Sequence, residues 1–351
     1  MPHHGRLNLL TQLLSLDLKI LIKKLKGHAE ISEGLLSETP AYTGDVLSHL
    51  SNTSILNYQN PLKVHVLRNP SHLEVVSPVS LGFTRALSMV DQTGPYNLST
   101  SENIGKDLLS VQIHGDASFG GQGIVAETLN LSTLPHFTVG GSIRLVLNNQ
   151  LGYTTPETEG RTAFYATDIG KSIKAPIIHV NGEYPEEVLG LMDLKELSKN
   201  QPDLSGTLRG KNSDIETAVE LSRLWAAGEA LNVHPRLQKM HIQKRLQALS
   251  IKTGNLAEID YSRTEALAFG TILEDGYDIR LSGQDSGQGT FSQRHALSTD
   301  QVVEGRTILP LNQLSAKNSQ PGNLEIVNSP LGKYAVLGFK LGLSYLLLGP
   351  V

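Results

Sequence analysis

Two oxygen-bearing side chains carry the first chemical signal in this sequence. Asp116 follows the apolar run VQIHG and opens a glycine-rich turn, and Asn148-Asn149 follow a second apolar run, IRLVL. Residues 111–155 therefore read as strand, turn, helix, strand and then Asn149. In an open α/β sheet, ligands gather beyond the carboxyl ends of the strands. Two neighbouring strands would thus present a carboxylate and an amide oxygen at one rim. Mg²⁺ takes hard oxygen donors in octahedral geometry and shares its shell with phosphate oxygens and water. Asp116, Asn149 and a backbone carbonyl, assigned to Leu151, would supply the protein's share of that shell. An isolated Asp after a strand, or an isolated Asn-Asn, is ordinarily a turn. Their joint placement is what points to a metal-bound phosphate group.

The remaining elements have to position that rim. Residues 6–26 carry leucine and isoleucine at helical spacing and end in Lys23, Lys24 and Lys26, where cations suit the helix dipole. PLKVHVLRNP (61–70) alternates as a strand does and closes at Asn69-Pro70. Residues 38–45 and 91–106 are polar loops, and IIHV (177–180) reads as a further short buried strand before Asn181-Gly182. Strand, helix, strand and strand in series predict a parallel sheet with helices on both faces. Past Glu187 the chain turns polar, with Gly and Pro at intervals over 191–214, then helical over 215–250. A second α/β unit starts near 255, with a helix over 261–276 and a strand over 277–285. The expected division is 1–190, 191–254 as linker and helical region, and 255–351 as a truncated second domain.

Composition removes several functions. The 351 residues carry 30 basic and 34 acidic side chains, so no basic field exists for nucleic acid. Without cysteine there is no disulfide, thiolate zinc site or cysteine nucleophile. The apolar segment YAVLGFKLGLSYLLLGPV is interrupted by Lys340 and ends in Gly-Pro, which predicts a core segment rather than a membrane span. Gly121-Gln-Gly123-Ile-Val-Ala126 matches a dinucleotide fingerprint in letters only. It stands too far from its strand, and the next strand ends without a ribose-binding carboxylate. Gly170-Lys171-Ser172 lacks the leading glycine of a P-loop, since Tyr165 stands there.

The stretch GDASFGGQGIVAET…VLNNQLGYTT resembles the thiamine diphosphate motif of the first components of 2-oxo acid dehydrogenases. MPHHGRLNLLTQLL, TGDVLSHL, NPSHLEVVSPVSLGFTRA, RLSGQDSGQGTFSQRHAL and NSPLGKYAVLGFKLG resemble segments of the 2-oxoglutarate dehydrogenase first component, in order along most of the chain. HGDASFGGQG, LPHFTVGGS, NNQLGYTTP and GTFSQRHA are most similar to the 2-oxoadipate-type paralogue with its dehydrogenase/transketolase domain. The resemblance implies a thiamine diphosphate-binding fold and oxidative decarboxylation of 2-oxoglutarate or 2-oxoadipate. The acyl group would pass to a lipoyl-bearing acyltransferase partner, the cofactor serving as electron sink. By the same resemblance Asp116, Asn149 and the Leu151 carbonyl hold Mg²⁺, and Ser71, His72, Ala117 and Ser118 meet the cofactor. His3, His49 and His295 are the implied catalytic histidines. A homodimer and a mitochondrial location are implied as well, although the start MPHHGRLNLLTQLL does not read as an import leader. No nucleic acid or membrane partner is expected.

The sequence departs from that pattern in three places. Gly332 and Lys333 stand where the family has Ser-Glu, and Lys340 stands for a later Glu. The Glu is the group that activates the cofactor, and a cation does not replace it. After PEEV the sequence runs into VLGLMDLKELSKNQPDLSG, so a core strand of the first sheet is expected to be absent, with apolar surface uncovered. The chain also begins at the M-P-H segment and ends in LGLSYLLLGPV, which leads to the expectation of a truncated member. The alternative to an active enzyme is accordingly a catalytically inactive remnant that binds cofactor or pairs with an intact paralogue.

Overall fold

A computed structural model of the chain describes residues 3–25, 49–57, 60–91, 108–184, 186–187, 261–303, 307–313 and 322–347. The expected domain limits at 190 and 254, and the loops and helices expected over 38–45, 92–106 and 191–250, lie outside them. The chain divides into two contact units. The first comprises Met1–Pro95, Thr100–Leu204 and Gly332–Val351, and the second Tyr96–Ser99 and Ser205–Leu331.

The first unit opens with α1 (His3–Asn8), a π-helical turn at Leu9–Leu13 and α2 (Leu18–Leu25). The single helix expected over 6–26 is therefore two. The backbone turns at Ser15, with φ +51°, and restarts where the Asp17 carboxylate accepts the Lys19 N–H at 2.8 Å. Packing dictates the break, because Leu10, Leu14 and Leu16 close a cluster with Leu50 against Leu56, Val64 and Val66. These last residues belong to a hairpin of β1 (Asn52–Asn57) and β2 (Pro61–Val66), paired antiparallel.

Next come α3 (Val76–Asp91), β3 (Ser110–Gly115), α4 (Asp116–Gly121), α5 (Gly123–Asn130) and β4 (Ser142–Leu147). β3 and β4 pair in parallel with Gly115 opposite Leu147, as the sequence predicts. The face carrying Gln112, His114 and Val146 is covered. Gln112 Nε2 donates to the Ser77 carbonyl and to Ser80 Oγ on α3. Phe119, Val125 and Leu129 of α4 and α5 pack on Val146. Helices on both faces were expected, and these described helices meet one. Leu109, Val111 and Leu147 stay about half exposed.

Beyond β4 lie a small hairpin of β5 (Leu151–Gly152) and β6 (Thr155–Pro156), then α6 (Glu157–Gly160) and a 3₁₀ segment, Ala166–Ile173. Gly170, Lys171 and Ser172 sit in that segment, with Lys171 paired to Asp168, which removes the P-loop reading structurally. The strand expected at 177–180 is corrected. These residues join none of the described sheets, and Ile178 is 49% exposed. A strand requires a partner for its backbone groups, and none of the described strands offers one. Asn181 consequently closes a local turn, its Oδ1 accepting the Glu183 N–H at 3.1 Å.

The second unit holds α7 (Tyr261–Glu274), β7 (Ile279–Gly283), β8 (Ser298–Thr299), β9 (Thr307–Ile308) and β10 (Leu324–Asn328). β7 and β10 pair in parallel over a core of Leu273, Leu324, Ile279, Leu281 and Ile326. The helix and strand expected over 261–285 are both present.

The last described element, α8 (Lys333–Leu347), packs in the first unit, whereas the sequence carried the second domain through to 351. Its apolar stripe explains this: Ala335, Val336, Phe339 and Leu343 are buried, and Phe339 meets Phe137 edge-on at 5.0 Å. The crossing with α3 is close enough to need glycine. A Cβ at Gly82 would lie 1.9 Å from the Phe339 carbonyl oxygen, and one at Gly342 would lie 2.0 Å from that of Val79. Among the described residues, no helix is long and apolar enough to cross a membrane. Gly82→Leu should lower the free energy of unfolding by about 3 kcal/mol or more in urea denaturation, because backbone must move to admit it. Gly121→Ala, where a Cβ meets nothing within 4 Å, should stay within about 1 kcal/mol of the parent.

Candidate functional site

Parallel pairing with Gly115 opposite Leu147 sends Asp116 and Asn148-Asn149 out of the sheet at the same end. Asp116 starts α4 and is 1% exposed. Its Oδ2 accepts Arg161 Nη1 at 2.6 Å, while its Oδ1 is buried without a hydrogen-bond partner. A buried carboxylate oxygen left unpartnered is costly, so this atom marks a place for a cation or donor. Arg161 also pairs with Glu157, and Glu157 ties back to the loop after β4. Its N–H donates to the Gln150 carbonyl at 3.0 Å, and its Oε1 accepts Gln150 Nε2 at 3.2 Å.

That loop descends onto α4. A Cβ at Gly152 would lie 2.9 Å from the Ala117 Cβ, so only glycine permits the approach. Gln150 and Tyr153 hold φ values of +62° and +61°, left-handed conformations uncommon outside glycine. Asn148 Oδ1 and Asn149 Oδ1 each accept a backbone N–H two residues on, at 3.3 Å. An amide oxygen has two lone pairs, so Asn149 Oδ1 retains acceptor capacity for a metal. Among the described residues no three His, Asp or Glu side chains converge into a ligand cluster. The donors at this rim are thus mixed: one carboxylate, one amide oxygen and backbone.

Beneath the rim lies a polar network that residue spacing did not reveal. Glu74 is buried at φ +71°. Its Oε2 meets His114 Nδ1 at 2.6 Å and accepts Ser77 Oγ at 3.2 Å, while Oε1 accepts Ser118 Oγ at 2.7 Å. Burial alone would raise the Glu74 carboxyl, but the bonds from His114, Ser118 and Ser77 together hold it below its ordinary value. Burial draws the Arg144 guanidinium down, and the Glu74 charge offsets part of that. The sequence clue to this network was polar residues on the inward face of β3, where Ser110, Gln112 and His114 are all buried.

The other predicted site residues fall as follows. His3 opens α1. Arg6 of the same helix donates to the carbonyls of Leu50 and Leu67, and the Asn69 N–H donates to the His49 carbonyl at 3.3 Å. The segments bearing His3, His49, Ser71 and His72 are thereby tied together. His49 is buried, and Ser71 and His72 are exposed three and two residues before Glu74. Through Glu74 this segment reaches Ser118 and the Asp116 turn. Ala117 sits under Gly152, and Leu151 is half exposed in β5. His295 lies in the second unit, at φ +41°, its N–H donating to the Gln288 carbonyl at 3.0 Å. Its neighbour Arg294 forks onto Glu265 at 2.7 and 2.8 Å, which holds that loop and raises the arginine's proton affinity.

Lys333 is exposed as the first residue of α8, where a cation opposes the helix dipole. The carboxylate at this helix start comes from Glu127 instead, whose Oε2 accepts the Ala335 N–H at 3.0 Å. A Cβ at Gly332 would stand 2.9 Å from the Glu127 side chain.

The depressed Glu74 value has a pH consequence with a definite sign. Between its folded and unfolded values the unfolded chain binds more protons, so stability rises with pH there. The contribution is complete at neutral pH and is lost as pH falls through the glutamate range to the folded value. Glu74→Gln should therefore flatten the acid side of a stability-against-pH curve followed by chemical denaturation. An acid side as steep as the parent's would contradict the assignment.

The comparisons bear on the same residues. A family model described as dehydrogenase E1 component matches residues 39–192, which include Asp116, Asn149 and Arg161. The 2-oxoadipate dehydrogenase complex component E1 of Rattus norvegicus is 36% identical over 98% of this chain, and that of Danio rerio 37% over 98%. The 2-oxoglutarate dehydrogenase E1 component of Geobacillus kaustophilus is 31% identical over 97%. The chain spans about half the length of these relatives, 47%, 47% and 45% respectively. The rat match extends over 443 aligned residues against the 351 of this chain. That relative therefore holds residues within the span which have no counterpart here. Residues 39–192 are thus similar to the dehydrogenase E1 component of 2-oxo acid dehydrogenases, a thiamine diphosphate-dependent family, and nearly the whole chain is similar to about half of these E1 components.

Proposed function

We propose that the first unit holds Mg²⁺–thiamine diphosphate, in a protein of the 2-oxo acid decarboxylating class acting on 2-oxoglutarate or 2-oxoadipate. The acyl product would go to the lipoyl group of an acyltransferase partner. The observation that supports this reading most is the buried Asp116 Oδ1, unpartnered at the carboxyl rim of two parallel strands. The donor set fits a hard, oxygen-seeking cation. Asp116, Asn149 and the Leu151 carbonyl would hold the metal, and Ala117 and Ser118 would meet the diphosphate. Bound there, thiamine diphosphate would supply the electron sink for loss of CO₂.

The chain's own residues have the remaining tasks. Glu74 fixes the Ser118 hydroxyl and, through His114, the end of β3. Ser71, His72, His3 and His49 form the substrate side of the first unit in this reading, and His295 is a catalytic histidine by the resemblance alone. A homodimer and a mitochondrial location in a eukaryotic cell belong to the same proposal, on the resemblance alone.

A second reading, a cofactor-holding chain without turnover, is favoured by Lys333. General acid–base steps contribute about 10² to 10⁴ in rate, and an exposed ammonium at the start of α8 supplies no carboxylate. On this second reading, decarboxylation of 2-oxoglutarate and of 2-oxoadipate, followed with an artificial electron acceptor, should be at background for the parent chain and rise for Lys333→Glu. Parent turnover well above background and unchanged by Lys333→Glu would remove the second reading. Thermal melting should rise on adding thiamine diphosphate with Mg²⁺, and Asp116→Ala should abolish that rise. A rise surviving in Asp116→Ala would mean that the metal is held elsewhere.

A further inference from the structure

Asp116 is buried, charged and paired on one oxygen only. Arg161, its partner, is itself 8% exposed and is shared with Glu157. We infer that Arg161 is an internal cation standing in for the metal. In the unliganded chain its guanidinium neutralises Asp116, and metal binding works against that hold. The inference rests on the proposed Mg²⁺–thiamine diphosphate reading, and concerns Arg161 as a residue that sets metal affinity without being a ligand.

Two opposite effects are in play, and their sizes decide the sign. A hydrogen-bond partner behind a metal ligand orients it, and its loss commonly weakens metal binding by about 10- to 100-fold. Against this, removing one member of a buried ion pair leaves an uncompensated charge. That disfavours the metal-free fold by roughly 10²- to 10³-fold, a penalty that a bound dication relieves. The second effect is the larger, because Asp116 is almost fully buried and no other described cation is bonded to it. Removing Arg161 should therefore tighten metal binding while weakening the empty chain.

Glu157 gives the same argument the opposite sign. It draws on Arg161 Nη2 while Asp116 draws on Nη1. Neutralising Glu157 leaves the guanidinium to Asp116 and removes a negative charge beside the site. Both changes disfavour the incoming metal.

The test is Mg²⁺ titration of the full chain at saturating thiamine diphosphate, read by calorimetry and by melting temperature. Arg161→Gln should melt lower than the parent without metal and reach half-saturation at about tenfold less Mg²⁺. Glu157→Gln should need severalfold more. On an Asp116→Asn background, Arg161→Gln should produce no tightening. Half-saturation at equal or higher Mg²⁺ in Arg161→Gln, with a normal parent response, overturns the inference but leaves the cofactor reading standing. Absence of a Mg²⁺ response in both parent and Arg161→Gln overturns the two together. If Arg161→Gln fails to fold, Glu157→Gln decides by sign: an unchanged or lower Mg²⁺ requirement contradicts the proposal.

Discussion

The parallel pairing of β3 with β4 is the constraint on which the site depends. Side chains reach a common rim only because Gly115 and Leu147 end their strands in register. A one-residue slip would turn each strand's faces over, placing His114 and Gln112 away from α3 and leaving Glu74 buried without His114. The register is thus held by polar bonds as much as by apolar packing: Gln112 to Ser77 and Ser80, and His114 to Glu74. Buried networks of this kind are costly if any member is missing, so they tolerate one alignment of the strands.

Upon that frame the chain places opposed charges in a small volume. Asp116, Glu157 and Arg161 form one group, and Glu74, His114 and Arg144 another. The two approach each other through α4, where Ser118 bonds Glu74 two residues after Asp116. Preorganisation of this sort fixes first-contact groups through the residues behind them. Here it joins the segment bearing Ser71 and His72 to the turn bearing Asp116. The segment before Glu74 and the turn after β3 therefore share one support.

Much of this was legible in the residues, and the failures have physical causes. The strand–turn–helix–strand order of 111–155 was readable because apolar runs of strand length flank a glycine-rich turn. The broken helix at Ser15 was not, since periodicity continues across it and only tertiary packing of Leu10, Leu14 and Leu16 selects the kink. IIHV reads as a strand by composition, but a strand is completed by a neighbour, and among the described strands it has none. Relatives hold residues inside the matched span that this chain lacks. Asp116 and Asn149 stand out in the sequence because oxygen donors directly after apolar runs are recognisable residue types. Glu74 and Arg161 were missed because a buried charge is visible only when its partner is, and those partners lie 40 and 45 residues away.

The central claim is that the rim of β3 and β4 holds a metal-bound diphosphate through Asp116. Calorimetric titration of thiamine diphosphate into the purified chain, with and without Mg²⁺, tests it most directly. The account predicts saturable heat with Mg²⁺ present that disappears when the metal is chelated. Equal binding in both conditions, or none in either, would contradict it.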